Sequence, residues 1–218
     1  MNQDVMKTGT TTVGIMFKDG VILGADRRAS AGYMVADKRA QKVIKINDDM
    51  ALTIAGLVSD AQLLSKIIRA QLKLIEVRKG KKSSVKQAAN LLANLVYNNV
   101  RRMSMVPSIV GFLLAGKDDK GFHLYNIGID GSLSEMEDYV CDGSGMMFAT
   151  GVLEANYKKN MSLDEAVKLA VQTLNTSMQR DIATGNGIDI LAITKEGVDF
   201  VLRKELDARI HLDKEKSN

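Results

Sequence analysis

Hydrophobic positions recur with two different periods along the chain, and each change of period separates strands from helices. In the first third, short or alternating apolar runs predict strands over residues 10–17, 21–26, 33–36, 43–46 and 50–55. Asp19-Gly20, between the first two runs, is typical of a hairpin turn. From Ser59 the apolar spacing becomes helical and predicts helices over 59–80 and 84–103. Ser59 and Gln62 have the spacing of a capping box.

The second half of the chain repeats this order of strands and then paired helices. Strands are predicted over residues 110–115, 123–129 and 135–140, with Asp130-Gly131 as a turn signal between the last two. Helices are predicted over 146–157 and 162–180, and Ser162 with Glu165 forms a second capping-box pattern. Strands over 188–194 and 199–203 and a short terminal helix complete the prediction.

This order predicts an α+β fold rather than an α/β fold. Hairpin strands in groups, each followed by a helix pair, favour two antiparallel sheets packed face to face with a helix pair outside each, a four-layer αββα sandwich. A doubly wound nucleotide-binding fold is disfavoured because strands and helices do not alternate singly. Gly143-Ser144-Gly145 also lacks the third glycine of a dinucleotide-binding loop.

Composition excludes several classes of protein. The chain has 218 residues, of which 45% are hydrophobic, so it can bury the core of one domain. The net charge is +4, but no basic stripe with stacking aromatic residues indicates nucleic-acid binding. No apolar run approaches the roughly 20 residues that span a bilayer. The single cysteine, Cys141, excludes an intrachain disulfide and indicates a reducing compartment, which we expect to be the cytoplasm.

Histidine and cysteine chemistry has little support in this sequence. The histidines, His123 and His211, are far apart, and only one cysteine is present. A His-based triad and a Cys/His zinc site are therefore disfavoured, and we expect neither a metal nor an organic cofactor.

The strongest candidate for chemistry is a threonine near the amino terminus. Thr10 follows Gly9, the least hindered partner for an internal attack on a peptide carbonyl. A threonine that becomes the first residue carries its own base, because an α-amino group has a pKa of about 7.7–8.0. We therefore expect residues 1–9 to be a leader removed by self-cleavage, with residues 10–218 as one domain. The leader contains Asp4 and no apolar stretch, so it is not a secretory signal.

Six motifs in register resemble the proteasome β-subunit family of archaeal type, whose members have the N-terminal-nucleophile hydrolase fold. The motifs are Thr10-Thr11-Thr12-Val13-Gly14, Gly24-Ala25-Asp26-Arg27-Arg28, Gln41-Lys42-Val43, Thr53-Ile54-Ala55-Gly56, Asp142-Gly143-Ser144-Gly145 and Gln179-Arg180-Asp181. The resemblance runs from Gly9 to about Arg209.

The resemblance implies a set of catalytic roles. Thr10 would be the nucleophile of a threonine endopeptidase through its Oγ, and its freed amine would be the base. Lys42 would be a buried cation beside Thr10, oriented by Asp26, and Gly56 would offer a backbone N–H to the oxyanion. By the same resemblance, three polar residues would support the amine and relay protons. They are Ser144, Asp181 and Thr184, where Thr184 stands in place of the serine often found in related chains.

The resemblance also implies a specificity pocket and an assembly. Ala29, Ala40, Ile54 and Val58 would line the pocket, and because all four are apolar we expect cleavage after hydrophobic side chains. Substrate backbone would pair along Ser30 and Gly56. Family members assemble with other β subunits in stacked seven-membered rings, capped by rings of α subunits that gate entry and connect to an ATPase regulator. Unfolded polypeptides would be the substrates.

Two alternatives remain open. One is the bacterial two-ring relative that also begins at a double threonine; the longer chain, Gln179-Arg180-Asp181 and the tail beyond the last strand disfavour it. The other is a catalytically silent ring subunit, which would be expected to lack the Gly9-Thr10 junction or Lys42.

Overall fold

Two five-stranded antiparallel sheets form the middle of the structure, a computed structural model that describes residues 9–104 and 108–206. The elements, in chain order, are β1 (Thr12–Phe17), β2 (Gly20–Asp26), β3 (Ala29–Ala31), β4 (Met34–Asp37), β5 (Val43–Lys45), β6 (Met50–Gly56), α1 (Val58–Lys79), α2 (Val85–Val100), β7 (Val110–Asp118), β8 (Gly121–Ile127), β9 (Leu133–Met136), β10 (Tyr139–Asp142), α3 (Met146–Asn156), α4 (Leu163–Arg180), β11 (Gly187–Thr194) and β12 (Gly197–Glu205).

The strand order brings distant parts of the chain together. The first sheet has the order β10-β1-β2-β11-β12, and the second has the order β5-β6-β7-β8-β9. The short strands β3 and β4 pair as a separate hairpin. Helices α3 and α4 pack on the first sheet, while α1 and α2 pack on the second. The predicted four-layer αββα sandwich is therefore confirmed.

Three layers of buried apolar side chains hold these four layers together. Between the two sheets lie residues such as Leu23, Val43, Leu113 and Leu191. Beneath α1 and α2 lie Leu52, Ile68, Leu92 and Phe112, and beneath α3 and α4 lie Val13, Leu153, Leu174 and Ile190. Strand β2 is buried along its whole length because both of its faces meet another layer. This double burial explains why its sequence is a continuous apolar run rather than an alternating one.

Helix boundaries confirm one predicted capping box and contradict the other. Ser162 and Glu165 cap α4 reciprocally, as predicted, since the Ser162 Oγ accepts from the Glu165 N–H and the Glu165 carboxylate accepts from the Ser162 N–H. The box at Ser59 is wrong: α1 already begins at Val58, and Leu57 caps it without a side-chain bond. The Leu57 N–H donates to the Ile109 carbonyl at 2.8 Å, which fixes the chain to the sheet before Ser59 is reached.

The predicted strand over residues 135–140 is also wrong as a single element. Its first part belongs to β9, which pairs with β8, and its last part belongs to β10, which pairs with β1 in the other sheet. The chain crosses between the sheets at Glu137-Asp138, where the Met16 N–H donates to the Asp138 carbonyl at 2.7 Å. Two adjacent acidic residues at the crossing are compatible with its position outside either apolar layer.

Smaller differences concern the ends of elements. Helix α2 ends at Val100 rather than at residue 103, and β3 is a short strand that the pattern did not indicate. The predicted terminal helix lies outside the described residues. Among the helices that the structure describes, none combines the length and the apolar character needed to cross a bilayer.

Candidate active site

Thr10 is buried two residues before β1, where its polar atoms contact its neighbours in the chain and across the fold. Only 4% of the residue is exposed. Its Oγ donates to the Gly9 carbonyl oxygen at 2.7 Å, and its backbone N–H donates to the Ser144 Oγ at 3.2 Å. Gly9 is itself held, since its N–H donates to the Ser30 Oγ at 3.0 Å. The Gly9-Thr10 peptide bond is therefore anchored on both sides.

A buried ion pair adjoins this peptide bond. The Lys42 Nζ lies 2.8 Å from the Asp26 Oδ1, with side chains that are 6% and 0% exposed. The same Nζ donates to the Gly9 carbonyl oxygen at 3.3 Å. One carbonyl oxygen thus accepts from both the Lys42 ammonium and the Thr10 hydroxyl, an arrangement that draws electrons from the carbonyl carbon.

Burial lowers the pKa of the Lys42 ammonium, and the adjacent Asp26 carboxylate offsets part of that shift. Asp26 accepts bonds on both oxygens. Oδ1 accepts from the Thr11 N–H as well as from Lys42, and Oδ2 accepts from the Arg28 and Gly185 N–H groups, each at 2.9 Å. Four donors leave this buried carboxylate fully satisfied, so it can hold Lys42 in a fixed position.

A second polar chain approaches Thr10 from the other side. The Ser144 Oγ donates to the Asp181 Oδ2 at 2.5 Å, and the Thr184 Oγ donates to the same oxygen at 2.5 Å. The Thr184 and Thr11 hydroxyls are 2.7 Å apart. Because Thr184 uses its proton on Asp181, Thr11 is the donor in that pair. The chain therefore links the Thr10 nitrogen, through Ser144, to a carboxylate.

Two glycines allow the backbone to come close to the site. Gly143 has φ +94°, and a Cβ there would lie 2.1 Å from the Thr10 carbonyl oxygen. Gly56 ends β6 with φ +123°, and a Cβ there would lie 2.2 Å from the Ile109 carbonyl oxygen. L-residues rarely adopt either conformation, and neither position has room for a side chain. The loop that carries Ser144 and the turn after β6 thus both depend on glycine.

A pocket of about 420 Å³ opens beside Thr10. The residues predicted to bind substrate all line it: Ala29, Ser30, Ala40, Ile54 and Val58. Gly56 lines the same pocket, which places it beside Thr10 as predicted. The sequence did not indicate the rest of the lining, namely Ala36, Asp37, Gln41, Ile44 and Gln62, in addition to Gly9, Thr10 and Lys42. The pocket lining therefore combines apolar and polar residues.

The structure brings together every residue that the resemblance implied. Thr10, Asp26, Lys42, Ser144, Asp181 and Thr184 form one hydrogen-bonded group, and Gly56 lies in the adjoining pocket. Three contributors were missed: Thr11, the Arg28 side chain and the Gly185 N–H. Thr11 and Arg28 lie within two of the six motifs, so the sequence marked both residues. A backbone donor such as the Gly185 N–H cannot be recognised from the residue type. Among the described residues, no group of three or more His, Cys, Asp or Glu residues could hold a metal ion.

The four-layer sandwich, with a buried threonine just before β1, is the architecture of the N-terminal-nucleophile hydrolase fold. A family model described as Proteasome subunit matches residues 6–193. Proteins named proteasome subunit beta are similar over nearly the whole chain. The one from Archaeoglobus profundus is 42% identical over 205 residues, 94% of this chain and 94% of the relative. The one from Methanocorpusculum labreanum is 45% identical over 200 residues, 92% of each. The one from Ferroglobus placidus is 41% identical over 208 residues, 95% of this chain and 97% of the relative. The chain belongs to the proteasome β-subunit family.

Proposed function

We propose that this chain is a catalytic proteasome β subunit, a threonine endopeptidase that frees its own nucleophile by removing residues 1–9. The observation that carries the proposal is the convergence on the Gly9 carbonyl oxygen of the Thr10 hydroxyl, at 2.7 Å, and the Lys42 ammonium, at 3.3 Å. A nucleophile and a cation on one carbonyl group are the elements that an acyl transfer requires.

Self-cleavage would proceed by an acyl shift. The Thr10 Oγ forms a bond to the Gly9 carbonyl carbon, the bond from that carbon to the Thr10 nitrogen breaks, and the hydroxyl proton passes to the nitrogen. Water then hydrolyses the resulting ester, which leaves a carboxylate on Gly9 and both a free hydroxyl and a free amine on Thr10. The α-amine cannot be the base in this step because it is still an amide. Lys42 and Ser144 are the nearest polar side chains, and the Ser144 Oγ already accepts from that nitrogen.

Turnover would then use the freed amine. The Thr10 amine takes the hydroxyl proton as Oγ attacks a substrate carbonyl, and the Gly56 N–H and Lys42 stabilise the oxyanion. The amine returns the proton to the leaving nitrogen, and water hydrolyses the acyl-enzyme. Ser144, Asp181 and Thr184 would hold the amine in place through their hydrogen-bonded chain.

The pocket beside Thr10 would receive the side chain that precedes the cleaved bond. Ala29, Ala40, Ile54 and Val58 offer it an apolar wall, so we infer a preference for hydrophobic residues. Substrate backbone would pair along Ser30 and Gly56, and the Ser30 hydroxyl, which accepts from the Gly9 N–H, is close to the position such a backbone would occupy.

Membership of the family supports a place in a core particle. We infer that the chain packs with other β subunits in seven-membered rings, that α subunits cap those rings, and that an ATPase regulator delivers unfolded polypeptides in the cytoplasm. The similar proteins are named proteasome subunit beta, which supports this assembly.

A catalytically silent ring subunit is the main rival, and a peptidase assay separates the two. The purified assembly that this chain forms is incubated with a fluorogenic peptide ending in Leu or Tyr, with and without an inhibitor directed at amino-terminal threonine. We expect inhibitable cleavage by the wild type and none by Thr10→Ala. Thr176→Ala, which removes an exposed threonine hydroxyl on α4, serves as the matched control and should retain activity. Equal activity in wild type and Thr10→Ala would contradict the proposal.

A further inference from the structure

The Arg28 side chain fastens both ends of the segment that follows α4, residues 182–186. One guanidinium nitrogen donates to the Ile182 carbonyl at 2.7 Å, and Nε donates to the Asn186 Oδ1 at 2.8 Å. Between these two contacts the guanidinium lies against Gly185, where a Cβ would be 2.4 Å from an Arg28 nitrogen. The segment is therefore held at its start and its end by one side chain, and Gly185 has no room for a side chain of its own.

This segment connects the two halves of the candidate site. Thr184 donates to Asp181 and is in contact with Thr11, so it belongs to the Ser144 side of the site. The next residue, Gly185, donates its N–H to the Asp26 carboxylate that orients Lys42. A shift of the segment would therefore move the supports of the nucleophile and of the cation relative to each other.

We propose that Arg28 is a positioning residue of the active site, whose guanidinium fixes residues 182–186 and so sets the spacing between the Asp26–Lys42 pair and the Ser144–Asp181–Thr184 chain. The inference rests on the proposed function, because it assigns Arg28 a part in the same reaction. Arg28 touches neither the Thr10 hydroxyl nor the Gly9 carbonyl among the contacts described, so it acts through other residues.

Arginine suits this position better than lysine. Its planar fork presents several N–H groups in fixed directions, so one side chain can reach a backbone carbonyl and a side-chain amide together, whereas an ammonium acts as a point charge. The preceding residue, Arg27, contacts this segment only through its backbone, whose N–H donates to the Gly185 carbonyl at 3.1 Å. Its guanidinium lies 3.8 Å from Asp189 and 3.4 Å from Glu205, on the β11–β12 side of the sheet.

The Arg28 charge also acts on the site. It is one of the groups that lower the pKa of Lys42, after burial, while Asp26 and Asp181 raise it. The Thr10 nitrogen, which would be an amine in the freed enzyme, is close to these charges, because its N–H donates to the Ser144 Oγ, which donates to Asp181, and Lys42 donates to the adjacent Gly9 carbonyl. Removal of one positive charge would make that amine easier to protonate, so the acid limb of the pH–rate profile would move to higher pH.

Three variants separate the effect of the guanidinium's hydrogen-bonding geometry, its planar fork, from the effect of its charge. Arg28→Lys keeps the charge and loses the fork, Arg28→Met loses both, and Asn186→Gly removes one partner while keeping a residue suited to the positive φ of 63° found there. Arg69→Met is the matched control, since Arg69 also donates to a backbone carbonyl, that of Lys45, on the other sheet. Each assembly is assayed with the hydrophobic fluorogenic peptide across pH, with active sites counted by a threonine-directed inhibitor.

We expect kcat per active site to fall at least about tenfold in Arg28→Lys and about 10²-fold in Arg28→Met, with KM changed by less than about twofold, because Arg28 does not line the pocket. Asn186→Gly should show a smaller loss. The acid limb should move to higher pH in Arg28→Met and stay in place in Arg28→Lys. Wild-type kcat and an unmoved acid limb in both Arg28 variants would overturn the proposal.

Amide hydrogen exchange tests the positioning role of Arg28 independently of catalysis. The amides of Thr184 and Gly185, which donate to the Asp181 carbonyl and to Asp26, should exchange at least about tenfold faster in Arg28→Met than in wild type, while those of α1 should not change. Unchanged exchange would overturn the positioning role even if the kinetics changed. A wild type without Thr10-dependent activity would instead refute the proposed function, and the exchange result would still decide whether Arg28 fixes the segment.

Discussion

Gly9 is packed so closely against the segment after α4 that not even a methyl group can be added to it. A Cβ built on Gly9 would lie 1.7 Å from the Ala183 Cβ and 3.0 Å from the Ser144 Oγ. Ordinary van der Waals contact begins at 3.4 Å, so Gly9→Ala must move residue 9 and Ala183 apart by about 1.7 Å. The substitution therefore moves the very carbonyl group that Thr10 is proposed to attack.

The expected effect on self-cleavage is large. A displacement of about 1 Å in a reacting group can reduce a rate by about 10²-fold, so we expect Gly9→Ala to slow the removal of residues 1–9 by at least that factor. Ala183→Gly removes the shortest contact. Two contacts at 3.0 Å remain, to the Ala183 Cα and to the Ser144 Oγ, and each must give by a few tenths of an ångström, so the double variant should regain part of the rate.

The assay follows the ratio of precursor to processed chain by intact mass at successive times after expression. Gly151→Ala is a suitable control because a Cβ at that position meets nothing within 4 Å. We expect the control to be processed like wild type, Gly9→Ala to accumulate as precursor, and Gly9→Ala with Ala183→Gly to be processed. Wild-type processing of Gly9→Ala, or a double variant as slow as the single one, would refute this reasoning.

Four further outcomes are expected. Lys42→Ala should reduce peptidase activity at least about 10²-fold and leave the circular dichroism spectrum intact, because Asp26 keeps three backbone donors. Asp26→Asn should also reduce peptidase activity, since the Lys42 charge becomes poorly paired; wild-type turnover in either variant would contradict its role. Peptides with Tyr, Phe or Leu before the cleaved bond should be preferred, and broadly so, since one methylene is worth roughly 1–3 kcal/mol in such a pocket; a profile dominated by Arg or Asp would contradict this. Burial raises the pKa of the Cys141 thiol to about 12, so iodoacetamide at neutral pH should label Cys141 far more slowly in the native than in the unfolded chain, and equal rates would count against its burial.

The sequence predicted the layers of the fold well because periodicity reports which face of an element is buried. Helix α4 shows this, since its apolar spacing and the Ser162 box agree and its start matches the prediction. The predictions failed where tertiary contacts determine where an element begins or ends. Pairing of Leu57 with Ile109 starts α1 before the Ser59 box could form, and the crossing at Glu137-Asp138 divides the predicted strand over residues 135–140 between two sheets.

The candidate site was predictable only in part, for a similar reason. Motifs marked the side chains that would act on a carbonyl, such as Lys42. They also marked side chains that would support these groups, such as Asp26, but gave no sign of the supports that the backbone provides. The Gly185 N–H reaches Asp26 across 159 positions, and no residue type identifies such a donor. Two polar residues of the pocket, Asp37 and Gln62, likewise come from separate elements, β4 and α1.

The central claim, that Thr10 frees itself and becomes the nucleophile, is tested most directly by the intact masses of wild type and Thr10→Ala. We predict that the wild-type chain begins at Thr10 and gains the mass of one inhibitor when treated with a threonine-directed reagent. Thr10→Ala should keep residues 2–9, with or without Met1, and gain no such mass. A Thr10→Ala chain that begins at position 10, or a wild type that keeps its leader and takes up no inhibitor, would contradict the account.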